Sequence, residues 1–214
     1  MKNCIIALLF SSVALLSGCL TGRRLIALDT PQAAPASISK GAIRITSVTD
    51  NRMFLNESSD PSTPTINGDV TTMTPEQKSK MIGRQRNAFG KAKGDLALSG
   101  DDTVTKQAQA LVETALKARG YQIAADASAD PITAAVSIDE FWAWITAGTY
   151  ASTYARVTCT ITITKGGTPV KITVRGYGSN KGVFGNNAEL QIAYDRACAN
   201  FLENFKVKLD ATAF

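Results

Sequence analysis

Residues 155–163 read Ala155-Arg156-Val157-Thr158-Cys159-Thr160-Ile161-Thr162-Ile163, with apolar side chains at the odd positions and polar ones at the even positions. This alternation is typical of a β-strand that buries one face, and it predicts a strand over 154–164. A second alternating segment, 170–177, follows after Lys165-Gly166-Gly167-Thr168-Pro169. The two segments therefore predict a β-hairpin with a five-residue loop.

The segment just upstream, 132–145, predicts a long strand that is unusually rich in aromatic residues. The apolar residues that alternation places on one face are Val136, Ile138, Trp142 and Trp144. Phe141 and Ile145 must then point to the other face. This pattern indicates either that both faces of the sheet are covered here or that an apolar patch is exposed for binding.

Two acidic residues interrupt the same strand. Glu140 falls on the apolar face, where it is expected to pair with an arginine such as Arg156. Asp139 and Glu140 are neighbours in a strand, so their carboxylates should point to opposite faces unless a bulge intervenes. They are therefore not expected to act together as a catalytic pair.

Two amphipathic helices flank these strands. The first is predicted from Thr103 to Arg119, with Asp102 as its cap and Gly120 at a left-handed C-terminal position. The second runs from Asn186 or Asn187 to about Leu209. Their apolar stripes are Val104, Ala108, Leu111, Val112, Ala115 and Leu116 in the first, and Leu190, Tyr194, Ala197, Cys198, Phe201 and Phe205 in the second.

Shorter elements complete the prediction. Strands are expected over 42–48, 95–98 and 121–124, and Thr74-Pro75-Glu76-Gln77 has the cap, proline and glutamine that begin a short helix. This order predicts an α+β fold, with a mostly antiparallel sheet and two amphipathic helices packed on one face. The helix after the first strand can serve as a crossover, which would make part of the sheet mixed.

Leu16-Ser17-Gly18-Cys19 follows Lys2 and a short apolar run, a pattern typical of a secretory signal. The four residues resemble the lipobox of bacterial lipoproteins. The resemblance implies that 1–18 is a signal peptide that is removed and that Cys19 carries lipid, palmitate included. Leu20, rather than aspartate, follows the cysteine, which by the same resemblance implies the periplasmic face of an outer membrane. The alternative is that this segment is an ordinary signal peptide, or a short buried helix, and that Cys19 occurs there by chance.

The amino-acid composition limits the kinds of catalytic and metal-binding sites that the protein can form. The 214 residues include no histidine, which excludes Ser–His and Cys–His catalysis and removes the commonest metal ligand. Neither a metal site nor a cofactor is predicted. Of the four cysteines, Cys4 leaves with the signal, while Cys159 and Cys198 lie on apolar faces. They either form a disulfide in an oxidising periplasm or pack as buried thiols.

The domain prediction has three parts: the signal peptide, a lipidated flexible tether over 19–40, and a single periplasmic α+β domain over 41–214 with a basic insert around 55–98. Within the tether, 25–28 is an apolar exception that could form a short edge strand. The insert carries the candidate partner-binding residues Lys78, Lys80, Arg84, Arg86, Lys91 and Lys93. We expect them to bind an anionic envelope component, such as lipid phosphates, a glycan carboxylate or an acidic protein surface. The alternative is a solvated basic loop, and nucleic acid is not expected as a ligand.

A glycine-rich segment over 176–182 lies between the predicted hairpin and the last helix. Its spacing, G-x-G-x-x-x-G, differs from the dinucleotide-binding pattern, and no βαβ unit surrounds it. The segment is therefore interpreted as a turn, which could also face a protein partner.

Several short motifs together resemble the YajG-type bacterial lipoproteins. They are the lipobox, Asp50-x-Arg52, Ala118-Arg119-Gly120-Tyr121, and the final strand, glycine segment and helix. Relatives with a segment similar to 82–91 are labelled flagellar biosynthesis proteins. The resemblance implies a non-enzymatic outer-membrane lipoprotein with a periplasmic binding or accessory domain, for example a subunit or adaptor of the flagellar apparatus. The alternatives are a peptidoglycan- or lipid-binding envelope protein and an envelope hydrolase that uses carboxylates alone.

Overall fold

A computed structural model describes residues 22–32, 34, 36–86, 91–125, 132–146, 151–182 and 185–212, so Cys19 and the signal segment lie outside the described residues. The described residues form eight strands and three α-helices. The strands are β1 (Arg24–Ile26), β2 (Gly41–Asp50), β3 (Met81–Arg86), β4 (Ala92–Leu98), β5 (Tyr121–Ile123), β6 (Ile132–Thr146), β7 (Ala151–Lys165) and β8 (Thr168–Gly182). The helices are α1 (Pro75–Lys80), α2 (Val104–Ala118) and α3 (Asn187–Asp210). The predicted α+β class is confirmed.

β6 is the central strand of the sheet. One of its edges pairs antiparallel with β7 along nearly its whole length, and β7 pairs with β8. Its other edge is shared: β2 pairs in parallel with the first half, and β3 pairs in parallel with the second. β5 then extends the sheet beyond β2, and β4 and β1 extend it beyond β3.

The sheet is therefore mixed, and the prediction of a mostly antiparallel sheet is wrong. Parallel neighbours must be joined by crossovers rather than tight turns. α2 belongs to such a crossover, because it leads the chain from β4 to β5 at the opposite edge of the sheet. The alternation of each strand shows that one face is buried but does not reveal the direction of its neighbour.

The β7–β8 hairpin is confirmed, but its loop is shorter than predicted. Only Gly166 and Gly167 lie between the strands, with φ values of 55° and 77°. Positive φ at both positions is the requirement of a type I′ turn, whose twist suits adjacent antiparallel strands. Lys165 and Thr168 consequently belong to the strands.

The helices begin and end close to their predicted positions. The capping box of α1 is present, with Thr74 and Gln77 bonded to each other's backbone. α2 begins one residue later than predicted because Thr103, not Asp102, accepts a hydrogen bond from the Lys106 amide. Gly120 after α2 has a φ of 91°. All twelve residues of the two predicted apolar stripes are buried.

A β-bulge in β6 changes the face on which its aromatic residues lie. The pairing with β7 shifts between Ile138 and Glu140, so the alternation is interrupted there. Ile138 packs in the main core, whereas Trp142 and Trp144 point to the opposite face of the sheet. The prediction that these residues share one face is wrong. Both faces are nevertheless covered, because the chain between β2 and α1 packs Phe54 against Trp142.

The glycine segment is part of β8 rather than a turn. Gly176 and Gly178 face α3, and a Cβ atom at either position would lie 2.1 Å from a backbone carbonyl oxygen of that helix. The two glycines thus allow the helix to pack directly on the strand backbone. The interpretation of this segment as a connecting loop is wrong, because its glycines serve close packing instead of chain reversal.

The predicted tether over 19–40 is also shorter than expected. Its residues Arg24–Ile26 form β1 in the sheet, and Ile26 and Leu28 are buried in the core. Farther along, the Lys40 amide donates to the Gly120 carbonyl oxygen at 2.8 Å. The folded domain therefore already includes residues from Gly22 onward instead of beginning at residue 41.

Cys159 and Cys198 are both buried and both free, which corresponds to the thiol alternative. Burial raises the pKa of both thiols, that of Cys198 to about 12, so the reactive thiolate is disfavoured. We expect the mature chain carrying Cys19→Ser, denatured without reductant, to titrate with two thiols, and the native protein to react slowly. A denatured chain without titratable thiols would show the disulfide instead.

Candidate functional site

The Asp50-x-Arg52 motif has a structural role at the shared edge of β6. The Arg52 guanidinium is buried and donates to the carbonyl oxygens of Met81 at 2.5 Å, Phe141 at 3.1 Å and Lys78 at 2.6 Å. Asp50 holds it with two hydrogen bonds of 2.8 Å. Arg52 thereby fills the junction at which β2 leaves the edge of β6 and β3 joins it.

The predicted basic insert is not an irregular loop throughout, because it contains the helix α1 and the sheet strands β3 and β4. Its six candidate residues do not form one surface. Lys78 and Lys80 lie on α1, where their ammonium groups donate to the carbonyl oxygens of Asp50 at 3.1 Å and Gly100 at 2.6 Å. Lys93 is exposed on β4. The remaining three residues come together around a cavity.

This basic cavity has a volume of about 670 Å³ and lies between the β3–β4 hairpin and the loop over 56–68. Its lining includes Glu57, Ser58, Thr65, Arg84, Arg86 and Lys91. The Arg86 guanidinium donates to the Ser58 carbonyl oxygen at 3.1 Å and to Thr65 Oγ1 at 3.3 Å. Arg86 thus ties the loop to the hairpin while lining the cavity.

Arg84 is the most buried cation of the cavity, since its side chain is only 7% exposed. It donates to the Ile66 carbonyl oxygen and to Asn67 Oδ1 at 3.3 Å. Its Nε lies 3.8 Å from Asp95 Oδ1, and neither atom has a hydrogen-bond partner among the described residues. Burial lowers the pKa of Arg84 and raises that of Asp95, and their mutual attraction opposes both shifts.

The chemistry of the cavity suits binding of an anion. Two guanidinium groups and one ammonium group converge on a concave surface, and Glu57 is the acidic side chain of the lining. Guanidinium groups match phosphate and carboxylate oxygens in pairs. Sequence reasoning identified Arg84, Arg86 and Lys91 by their charge, but it did not predict that the loop over 56–68 would complete a cavity with them. The Ser/Thr-rich composition of 56–68 was the available signal.

A second surface was not predicted as a site. The rings of Trp144 and Tyr154 stack with centroids 5.3 Å apart, and Tyr177 lies 6.3 Å from Tyr154. Arg156 lies 5.2 Å above the Trp144 ring. Tyr177 is 46% exposed, so this aromatic patch offers a contact surface next to charged groups. Sequence reasoning missed the patch because its three rings come from different strands, and their proximity depends on the register of β6, β7 and β8.

The bulge in β6 also brings Asp139 and Glu140 to the same face, contrary to the sequence-based prediction. Asp139 accepts from Thr160 at 2.6 Å, and Glu140 accepts from Thr158 and from Arg156 at 2.9 Å, as predicted for the latter pair. Burial alone would raise the pKa of Glu140, but these hydrogen bonds and the nearby arginine charges outweigh it and lower the pKa. A general acid requires the opposite shift.

The lowered pKa of Glu140 predicts a pH-dependent contribution to stability. Ionised Glu140 stabilises the fold above the ordinary glutamate value, and the contribution is lost as pH falls through the lowered folded-state pKa. We expect Glu140→Gln to reduce the free energy of unfolding by about 1–2 kcal/mol at neutral pH and by much less in acid. Urea unfolding across pH measures this difference, with the exposed Glu203→Gln as control. An equal effect at every pH would contradict the prediction.

Within the described ranges, no cluster of three or more potential metal-binding side chains occurs. In the same part of the chain, no helix has the length and apolar character needed to cross a bilayer.

Comparisons with known proteins give no assignment from sequence. No protein family and no curated protein matches the chain. Among solved structures, an uncharacterized protein is 8% identical with a TM-score of 0.41, covering 90% of this chain and 99% of its own. Protein XCC0632 from Xanthomonas campestris, of the DUF330 family, is 11% identical with a TM-score of 0.44, covering 88% and 95%. These scores assign neither family nor function, and the YajG resemblance stays a prediction.

Proposed function

We propose that this protein is a non-enzymatic outer-membrane lipoprotein, anchored through Cys19, whose periplasmic domain binds an anionic component of the envelope. The observation that carries the binding role is the basic cavity, in which Arg84, Arg86 and Lys91 converge. The Leu16–Cys19 motif supports the anchor. The lowered pKa of Glu140, together with its arginine partners, supports binding over carboxylate catalysis.

The anchor is tested by metabolic labelling with palmitate. Wild-type protein should incorporate the label and fractionate with outer membranes, whereas Cys19→Ser should lose both properties. Cys159→Ser is the matched control, because its thiol is buried and should carry no lipid. Equal labelling of Cys19→Ser and wild type would refute the anchor.

The binding role is tested by retention on immobilised phosphate and carboxylate ligands. Arg86→Gln together with Lys91→Gln should abolish the retention, while Lys165→Gln with Lys171→Gln, far from the cavity, should not. Retention that is unchanged in the first pair would overturn the role of the cavity.

The aromatic patch supports a second candidate, the subunit or adaptor of an envelope assembly. Exposed aromatic residues beside arginine are frequent in protein interfaces. A photoreactive amino acid in place of Tyr177 should then crosslink a discrete envelope protein in cells. The same probe in place of Lys171 is the control. Absence of a specific protein adduct from position 177 would remove this candidate.

A further inference from the structure

We propose that the domain lies directly on the leaflet that holds its anchor, and that the basic cavity binds the phosphate of an anionic phospholipid headgroup in that leaflet. The proposal rests on lipidation of Cys19, as put forward above, and on the position at which the chain enters the fold. Three geometric and electrostatic features carry it.

The first feature is the short distance from the anchor to the folded domain. Only two residues lie between Cys19 and Gly22, which limits the distance between the Cα atoms of Cys19 and Gly22 to about 11 Å even in a fully extended chain. Gly22 is held in place, because its amide donates to the Lys93 carbonyl oxygen at 3.3 Å and its own carbonyl accepts from Gln85 at 3.4 Å. The domain therefore cannot move far from the bilayer surface.

The second feature is the end of the molecule at which the chain begins. β1 runs parallel to β4, with Arg24 opposite Leu96. The residues before β1 therefore approach from the end at which β4 starts and β3 finishes. That end carries Arg86 and Lys91, so the chain enters the fold at the same end of the strands as these two residues of the basic cavity.

The third feature is the charge of this end. The exposed cations Arg23, Lys91 and Lys93 surround the start of the described chain, and the acidic side chain of the cavity is Glu57. An anionic leaflet attracts such residues only within about a Debye length, on the order of 10 Å. The short connection from Cys19 keeps them inside this range.

A phospholipid phosphate suits the cavity better than a bulky partner does. Arg84 lines the cavity with a buried side chain, and its Nε, 3.8 Å from Asp95 Oδ1, lacks a hydrogen-bond partner among the described residues. A phosphate oxygen is a strong acceptor for a guanidinium. The headgroup would enter from the leaflet, on which the lipid is already concentrated.

Orientation is tested with the lipidated mature protein in vesicles. A fluorophore is attached through Lys93→Cys or, as control, Lys165→Cys at the far end of β7, about 45 Å away along the strand. Quenchers on lipid headgroups should quench the label at position 93 strongly and the label at position 165 little. Equal or reversed quenching overturns the proposed orientation.

The headgroup site is tested separately with the Cys19→Ser chain, which does not depend on lipidation. Vesicles of phosphatidylcholine with phosphatidylglycerol should sediment this protein, and vesicles of phosphatidylcholine alone should not. Arg86→Gln and Lys91→Gln should each weaken partitioning about fivefold, whereas Lys165→Gln should leave it unchanged. Urea unfolding verifies that each variant is folded.

Glycerol phosphate is tested on the same Cys19→Ser chain in solution. Tight binding of this soluble phosphate without vesicle binding would make the cavity a site for a free metabolite and overturn the lipid proposal. Loss of palmitate labelling with intact vesicle binding would refute the anchor alone. Intact labelling with no binding to anionic vesicles would refute the headgroup site alone.

Discussion

Replacement of Arg52 by methionine is expected to lower the free energy of unfolding by about 3–5 kcal/mol. Methionine retains much of the side-chain volume but leaves the Met81, Phe141 and Lys78 carbonyl oxygens without their guanidinium donor. Asp50 also loses its partner in a poorly hydrated position. The loss combines unsatisfied buried acceptors with an uncompensated charge, the two most costly results of a polar deletion.

Urea unfolding followed by circular dichroism measures the effect. Arg52→Lys keeps the charge but cannot present a planar fork of donors, so it should recover only a small part of the stability. Arg175→Met is the matched control, because that side chain is 62% exposed and its ion pair should contribute less than about 1 kcal/mol. If the free energy of unfolding of Arg52→Met lay within about 1 kcal/mol of the wild-type value, water would be replacing the guanidinium at this junction.

The second large effect is expected at the contact between β8 and α3. Gly178→Val should cost about 3 kcal/mol, because a Cβ there would lie 2.1 Å from the Ala193 carbonyl oxygen and 2.5 Å from the Ala197 amide nitrogen. Both neighbours are helix backbone, which cannot rotate away as a side chain would. The helix must therefore move off the strand and lose part of its buried contact.

Thermal melting gives the measurement for this variant. A loss of 3 kcal/mol corresponds to a fall of about 6–12 °C in Tm for a domain of this size. Thr173→Val, on the exposed face of the same strand, is the control and should leave Tm unchanged or slightly higher, since valine favours strands. A Gly178→Val protein that melts with the wild type would show that α3 can shift without cost.

The sequence predicts the elements of this fold better than their arrangement. Alternation in 154–164 and the helical stripes depend on neighbouring residues and on a core, so they identify β7, α2 and α3 correctly. The direction of a partner strand depends on residues far apart in the chain, and β2 beside β6 leaves no local signal. The bulge after Ile138 also leaves no recognisable signal in the sequence, although it decides on which face of the sheet Trp142 lies.

For the candidate site, too, the sequence predicts the residues better than their arrangement. Charge alone identified Arg84, Arg86 and Lys91, because arginine and lysine in a dense run are evident in any sequence. The same criterion also selected Lys78 and Lys80, but in the fold their ammonium groups donate to the backbone carbonyl oxygens of Asp50 and Gly100. Burial of Arg84 could not be predicted, since it requires the loop over 56–68 to fold back across the hairpin.

The shared edge of β6 has a consequence for the order of folding. During synthesis from the N-terminus, β1 to β5 emerge before β6, the strand that pairs with both β2 and β3. β2 and β3 find their common neighbour only once residue 146 has emerged, and β6 in turn requires β7 along its other edge. Until then the early strands have unpaired edges, which favour aggregation. The first 130 or so residues thus need to be kept apart from other chains until the last hairpin is complete.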